Sequence, residues 1–191
     1  MKQAAASALR LSRSLGSRLA RKTQAGWADQ RGVAAIEFGI FAVLLSAALA
    51  NVTDVSIYIY QRMQVENATE IAAQAALKTC STKLPATTNC PGLLAAMQNS
   101  LQSTSLGAAV ALQSGSPTEG YYCINASNAL QYVSDVSSKP ADCTAAGMPA
   151  LQPGDYILVN TTFSYQSLFP GLSVANTFPT PISRTAMLRL G

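Results

Sequence analysis

The chain has 191 residues, of which 49% are hydrophobic and only 12% charged, and its formal net charge is +4. The positive balance is local: residues 1–32 carry seven basic residues against Asp29 alone, +6, whereas residues 33–191 carry six basic and eight acidic, −2. This speaks against a nucleic-acid-binding domain, whose basic patch belongs on the folded part. The absence of histidine removes the commonest general base and metal ligand.

Taken in chain order, Leu11, Leu15 and Leu19 recur at helical spacing among arginines. They are compatible with a basic amphipathic helix on a membrane surface or with an unstructured leader. Asp29-Gln30-Arg31-Gly32 reads as an exposed turn. Val33 to Val52 then forms a 20-residue apolar run with one charge, at Glu37, and one amide, at Asn51. About 20 such residues span a ~30 Å hydrocarbon core. All nearby basic residues precede the run and none follows until Arg62, so residues 1–32 are expected in the cytoplasm and the remainder outside.

No Pro or Gly occurs between residues 53 and 79, and Val55, Ile59 and Met63 continue the helical spacing. One helix from Val33 to about Thr79, ~70 Å long, is therefore predicted. Its distal half suits a stalk or a packing surface for the following domain. Pro91 introduces a second helix, Gly92 to about Ser103, with Leu93, Leu94, Met97 and Leu101 on one side. Strands are predicted at 109–113, 121–125, 130–133, 156–165 and 182–190, with Pro153-Gly154-Asp155 as the turn before the longest.

Cys80, Cys90, Cys123 and Cys143 contain no C-x-x-C pair and lie in a charge-poor segment, which favours two disulfides in an oxidising compartment over a metal site. Three pairings are open. Cys80–Cys90 with Cys123–Cys143 is preferred because each closes a short loop. The expected class is α+β: a long N-terminal transmembrane and stalk helix, then a small disulfide-stapled mixed α/β domain on an antiparallel sheet. Its parts are a leader at 1–32, a helix at 33–79 and a globular domain at 80–191.

Glu37 is the costly residue. A carboxylate at the centre of a transmembrane helix costs ~2.5–3.5 kcal/mol on insertion scales, and less near an end. Either it reaches the interface or is protonated, or it meets a positive partner at membrane depth. Gly32-Val33-Ala34-Ala35-Ile36-Glu37-Phe38 resembles the processing site of Tad (tight adherence, Flp-type) pilins and pseudopilins. The resemblance implies that a prepilin peptidase cuts after Gly32, leaving Val33 as the first, Glu37 as the fifth and Phe38 as the sixth mature residue. Ordinary type IV pilins typically have Phe at the first position, where this chain has Val33. Tyr58 to Glu70 resembles the membrane-proximal helix of TadE-like proteins, and Ile182 to Leu190 is similar to the strand that often closes them. Residues 80–175 carry no assignable motif. The length exceeds that of the family's major pilin, which points to a TadE- or TadF-like minor pilin.

The remaining motifs are weaker. Asn67-Ala68-Thr69, Asn125-Ala126-Ser127 and Asn160-Thr161-Thr162 match the glycosylation pattern, which arises easily in so Asn- and Thr-rich a chain. No catalytic set is found, Asp135, Asp142 and Asp155 are too dispersed for a metal site, and no cofactor is implied. Tyr121-Tyr122 and Phe163-Ser164-Tyr165 are expected to be core more than adhesive surface. The expectation is a non-enzymatic assembly protein of the bacterial inner membrane, its C-terminal domain periplasmic or in an extracellular pilus. Its partners would be a prepilin peptidase, other pilin subunits, the Tad assembly platform and inner-membrane lipid. Competing readings are a secreted binding protein cut after Ala50, since Ala48-Leu49-Ala50 is an A-x-A-like site, and an uncleaved membrane anchor.

Overall fold

A computed structural model describes residues 30–191, with side chains from Gly32 onward. The predicted features of residues 4–22 lie outside the described residues. The dominant element is helix α1, Gln30–Cys80. Two predictions near its start and end need adjusting. Gln30, Arg31 and Gly32 stand inside the helix and not in a turn. Gly32 is the only weak helix former among them, so the helix extends backward from the apolar run. At the other end it reaches Cys80, one residue beyond the predicted limit.

The chain divides into two compact units, one ending at Ala50 and one running from Asn51 to Gly191. The second contains the distal half of α1, a short helix α2 (Ala86–Asn89), helix α3 (Leu93–Gln102) and a five-stranded antiparallel sheet. The strands are β1 (Val110–Leu112), β2 (Thr118–Ile124), β3 (Leu130–Asp135), β4 (Gly154–Phe163) and β5 (Ile182–Arg189). This is the expected α+β class.

β4 is central because it is the longest β-branched and aromatic run. β5 pairs along one side, from Tyr156↔Arg189 to Phe163↔Ile182. On the other side, β2 takes its first half, Thr118↔Leu158 to Tyr122↔Gly154, and β1 its second, Val110↔Phe163 to Leu112↔Thr161. β3 lies beyond β2, with a register shift between Tyr121 and Tyr122.

All five predicted strands are present with displaced ends. The clearest correction is at Pro153-Gly154-Asp155, where Gly154 and Asp155 already belong to β4. They pair with Tyr122 and Tyr121. The Asp155 N–H also donates to Gly191 O (3.1 Å), and Leu190 N–H donates to Asp155 O (2.8 Å). The last residues of the chain thus extend the ladder through the expected turn.

Along β4, Ile157, Val159, Thr161 and Phe163 are buried and alternate with half-buried residues, as one covered sheet face requires. They join a core that includes Tyr58, Val65, Ala68, Ala72, Ala73 and Ala76 of α1 and Met97 and Leu101 of α3. The α1 residues follow spacings of three and four, one helix face. Most are alanine, so the helix backbone lies close on the sheet. Where the two meet, Thr69 Oγ1 lies 2.5 Å from Thr161 Oγ1 and donates to Val65 O or to its partner. Tyr121, Phe163 and Tyr165 are buried, as expected for core aromatics.

Of the three pairings, the structure has Cys80–Cys90 and Cys123–Cys143. The first ties the end of α1 to the approach of α3. The second ties β2 to the turn at 144–146 and holds a small separate cluster with Ala146.

Candidate processing and assembly segment

Residues 32–50 form the first candidate region. They are helical, and the apolar side chains are uncovered by the described chain. Phe38 is 75% exposed and Phe41 72%, with Val33, Ile36, Ile40 and Leu44 also exposed. In water, such a surface would be strongly unfavourable at about 25 cal/mol per Å². The segment is long and apolar enough to cross a membrane. Within it, the Ser46 hydroxyl donates to Ala42 O (2.7 Å), which spares the apolar surroundings an unmet donor.

Gly32, Val33, Glu37 and Phe38 lie within two turns of this helix, all exposed. A Cβ at Gly32 would meet nothing within 4 Å. Its helical conformation is open to any residue, and glycine costs about 1 kcal/mol relative to alanine in a helix interior. Nothing inside the described chain requires glycine there. Among the described residues, Glu37 has no ion pair.

The second unit holds a constellation that sequence reasoning missed. Asp54 is fully buried. Its Oδ1 accepts the Leu168 N–H (2.9 Å) and its Oδ2 the Phe169 N–H (3.2 Å). Burial acts to raise the Asp54 pKa, but these bonds and one from the Ser173 side chain outweigh it and hold the carboxyl below its ordinary value. Tyr165 donates to Asp54 O (3.3 Å). One turn earlier, Asn51 Nδ2 donates to Leu172 O (3.2 Å), and its Oδ1 accepts the Val174 N–H (2.8 Å). One turn later, Tyr58 donates to Pro179 O (3.1 Å) and stacks edge-on with Tyr165 at 5.0 Å. Asn51, Asp54 and Tyr58 thus strap the 165–179 loop onto α1. Their spacing along one helix face was visible in the sequence; their partners, more than 100 residues away, were not.

The other polar candidates have structural roles. Thr69 and Thr161, each the hydroxyl residue of a glycosylation pattern or next to its Asn, are buried against each other. Asn125 Oδ1 accepts from Ser127 and Ala129 N–H and shapes the β2–β3 turn. Asp135 and Asp142 cap their own turns through Ser137 and Thr144, and those bonds lower both pKa values. Glu119 accepts the Ala86 and Thr87 N–H groups at the start of α2 (2.7 and 2.6 Å). Beside it, Asp155 is raised to about 6 by burial, by the neighbouring Glu119 charge and by their shared hydrogen bond, with Lys139 opposing.

Residues 32–74 match the model of a protein family described as TadE-like protein. No curated protein and no solved structure matches the chain.

Proposed function

We propose, from a chain that is TadE-like over residues 32–74, that this is a non-enzymatic minor pilin or pseudopilin acting in assembly of a Tad pilus, and through it in adhesion and surface colonisation. The carrying observation is positional. The family match begins at Gly32, the residue that immediately precedes the apolar run and that no contact among the described residues requires. A prepilin peptidase cuts after Gly32, leaving a free amine on Val33. Residues 33–52 anchor the protein in the inner membrane with the second unit on the periplasmic side. Glu37 of an incoming subunit pairs with the Val33 amine of a neighbour at membrane depth. A mis-staggered subunit leaves both charges unmet, which costs several kcal/mol in a low-dielectric setting. The pair thus sets register, and the assembly platform and sister subunits are the partners.

The N-terminal residue of the protein recovered from membranes tests this directly. Val33 is expected, and substitution of Gly32 by a bulky residue is expected to leave the leader attached. Glu37→Ala is expected to insert normally and to be absent from pili. Normal incorporation of that variant would overturn the pairing. One observation favours a second reading: the second compact unit begins at Asn51, where a signal peptidase cut after Ala50 would place the terminus. Asn51 found as the N-terminal residue would establish that secreted form instead.

A further inference from the structure

We infer that the loop at residues 168–174 is a lipid-contacting element that seats the second unit on the outer face of the bilayer. The inference rests on the membrane anchor proposed above and adds a second, non-helical point of attachment. Leu168, Leu172 and Val174 are 59%, 76% and 54% exposed, and Phe169 is also exposed. A soluble loop seldom places four large apolar side chains in seven residues in water.

Position identifies the occupant. Asn51 bonds the loop at both Leu172 and Val174, and Asn51 is the residue that follows Ala50 in the apolar run. The loop is therefore bonded to a residue at the very end of the apolar run. The loop is also prepared for a water-poor layer. N–H groups in irregular backbone are costly near lipid unless partnered. Those of Leu168 and Phe169 are taken by Asp54, that of Val174 by Asn51, and those of Leu172 and Ser173 by Phe169 O. Pro170 has none, and among the described residues only the Gly171 N–H of this loop is left without a partner.

Charge agrees. No charged residue occurs between Asp155 and Arg184, and Asp54 is the only one between Glu37 and Arg62. Asp54 is fully buried beneath the loop, so the loop and the turn of α1 that it covers present no charged side chain. Interfacial binding of this kind follows buried apolar area and reaches ~5–10 Å into the headgroup and acyl boundary.

The test uses the full-length chain in phosphatidylethanolamine–phosphatidylglycerol vesicles. Leu172→Trp in a Trp27→Phe background places one tryptophan at the loop tip. Tyr132→Trp in the same background places it on β3, where the native ring is also exposed. Blue-shifted emission from the Leu172→Trp protein, with quenching by lipids brominated near the headgroup, and no quenching of the Tyr132→Trp protein, is expected. Equal quenching of both variants would show the whole unit lying on the membrane and overturn the specific role of the loop. Unquenched emission from a Leu172→Trp protein that resists carbonate extraction overturns the loop and leaves the anchor standing. Protein released by carbonate overturns the anchor, and the loop proposal with it. Emission that shifts only as protein density rises assigns the loop to a second copy of the chain and overturns the lipid contact. Phe169→Trp repeats the measurement at a second loop position.

Discussion

Asp54 and Asp155 are buried acids in one unit whose pKa values move in opposite directions, and pH separates them. The Asp54 carboxylate accepts N–H bonds in the folded state, so its pKa is lowered. Its stabilisation is complete above the unfolded value near 4 and is lost as pH falls through the lower folded value. Asp155 is raised to about 6, so the folded state prefers it protonated. Its contribution is complete below about 4 and is lost as pH rises towards 6. In detergent micelles, Asp155→Asn is expected to flatten the decline of Tm between pH 4 and 6 and to raise Tm at pH 7. Asp54→Asn is expected to remove the fall below pH 4, lower Tm at neutral pH and speed hydrogen exchange at Leu168 and Phe169. A pH–Tm profile unchanged by either variant would refute the corresponding assignment.

At the level of elements, the alanine face of α1 is the main determinant of packing. Ala68, Ala72 and Ala76 are wholly buried, and a larger side chain there pushes the helix off the sheet. Ala72→Leu is expected to cost about 1–3 kcal/mol in chemical denaturation. Met97→Ala, which empties a fully buried position on α3, is expected to cost about 2–5 kcal/mol. Replacing Cys80 and Cys90 together by Ser removes a cross-link closing a 10-residue loop and is expected to cost about 2–4 kcal/mol. The elements themselves are largely legible in the sequence. Period-2 alternation and β-branched content locate β4, and the Pro- and Gly-free stretch after Val52 locates the distal half of α1. Helix α2 is not legible, because four residues have no period and its N–H groups are capped by Glu119, more than 30 residues away. The start of β4 is hidden because Pro-Gly-Asp is sound turn chemistry that the C-terminal ladder partners override. The Asp54 strap is not legible, because it depends on tertiary proximity to residues more than 100 positions away.

For the whole molecule, the two units differ in how far their apolar side chains are buried. The long apolar helix and the TadE-like segment fit a membrane-anchored protein. The second unit buries its own core. Residues 51–191 produced in an oxidising compartment are expected to be soluble and to unfold cooperatively, monitored by far-ultraviolet circular dichroism, whereas the full chain requires detergent or lipid. Aggregation of the 51–191 fragment with its disulfides formed would show that the domain depends on the anchor.

The order of pairing around β4 also sets a timetable. Synthesis delivers α1 first, yet the strands that cover its Val65–Ala76 face are β4 and β5, and β5 begins about 100 residues after α1 ends. The Asp54 carboxylate waits similarly for residues 168 and 169. Contacts so distant in sequence form slowly, and no nascent chain stopped before β5 can complete the core. A growing chain therefore presents a bare alanine-rich face until β5 has been made. During that interval the chain shows a surface that the folded unit covers.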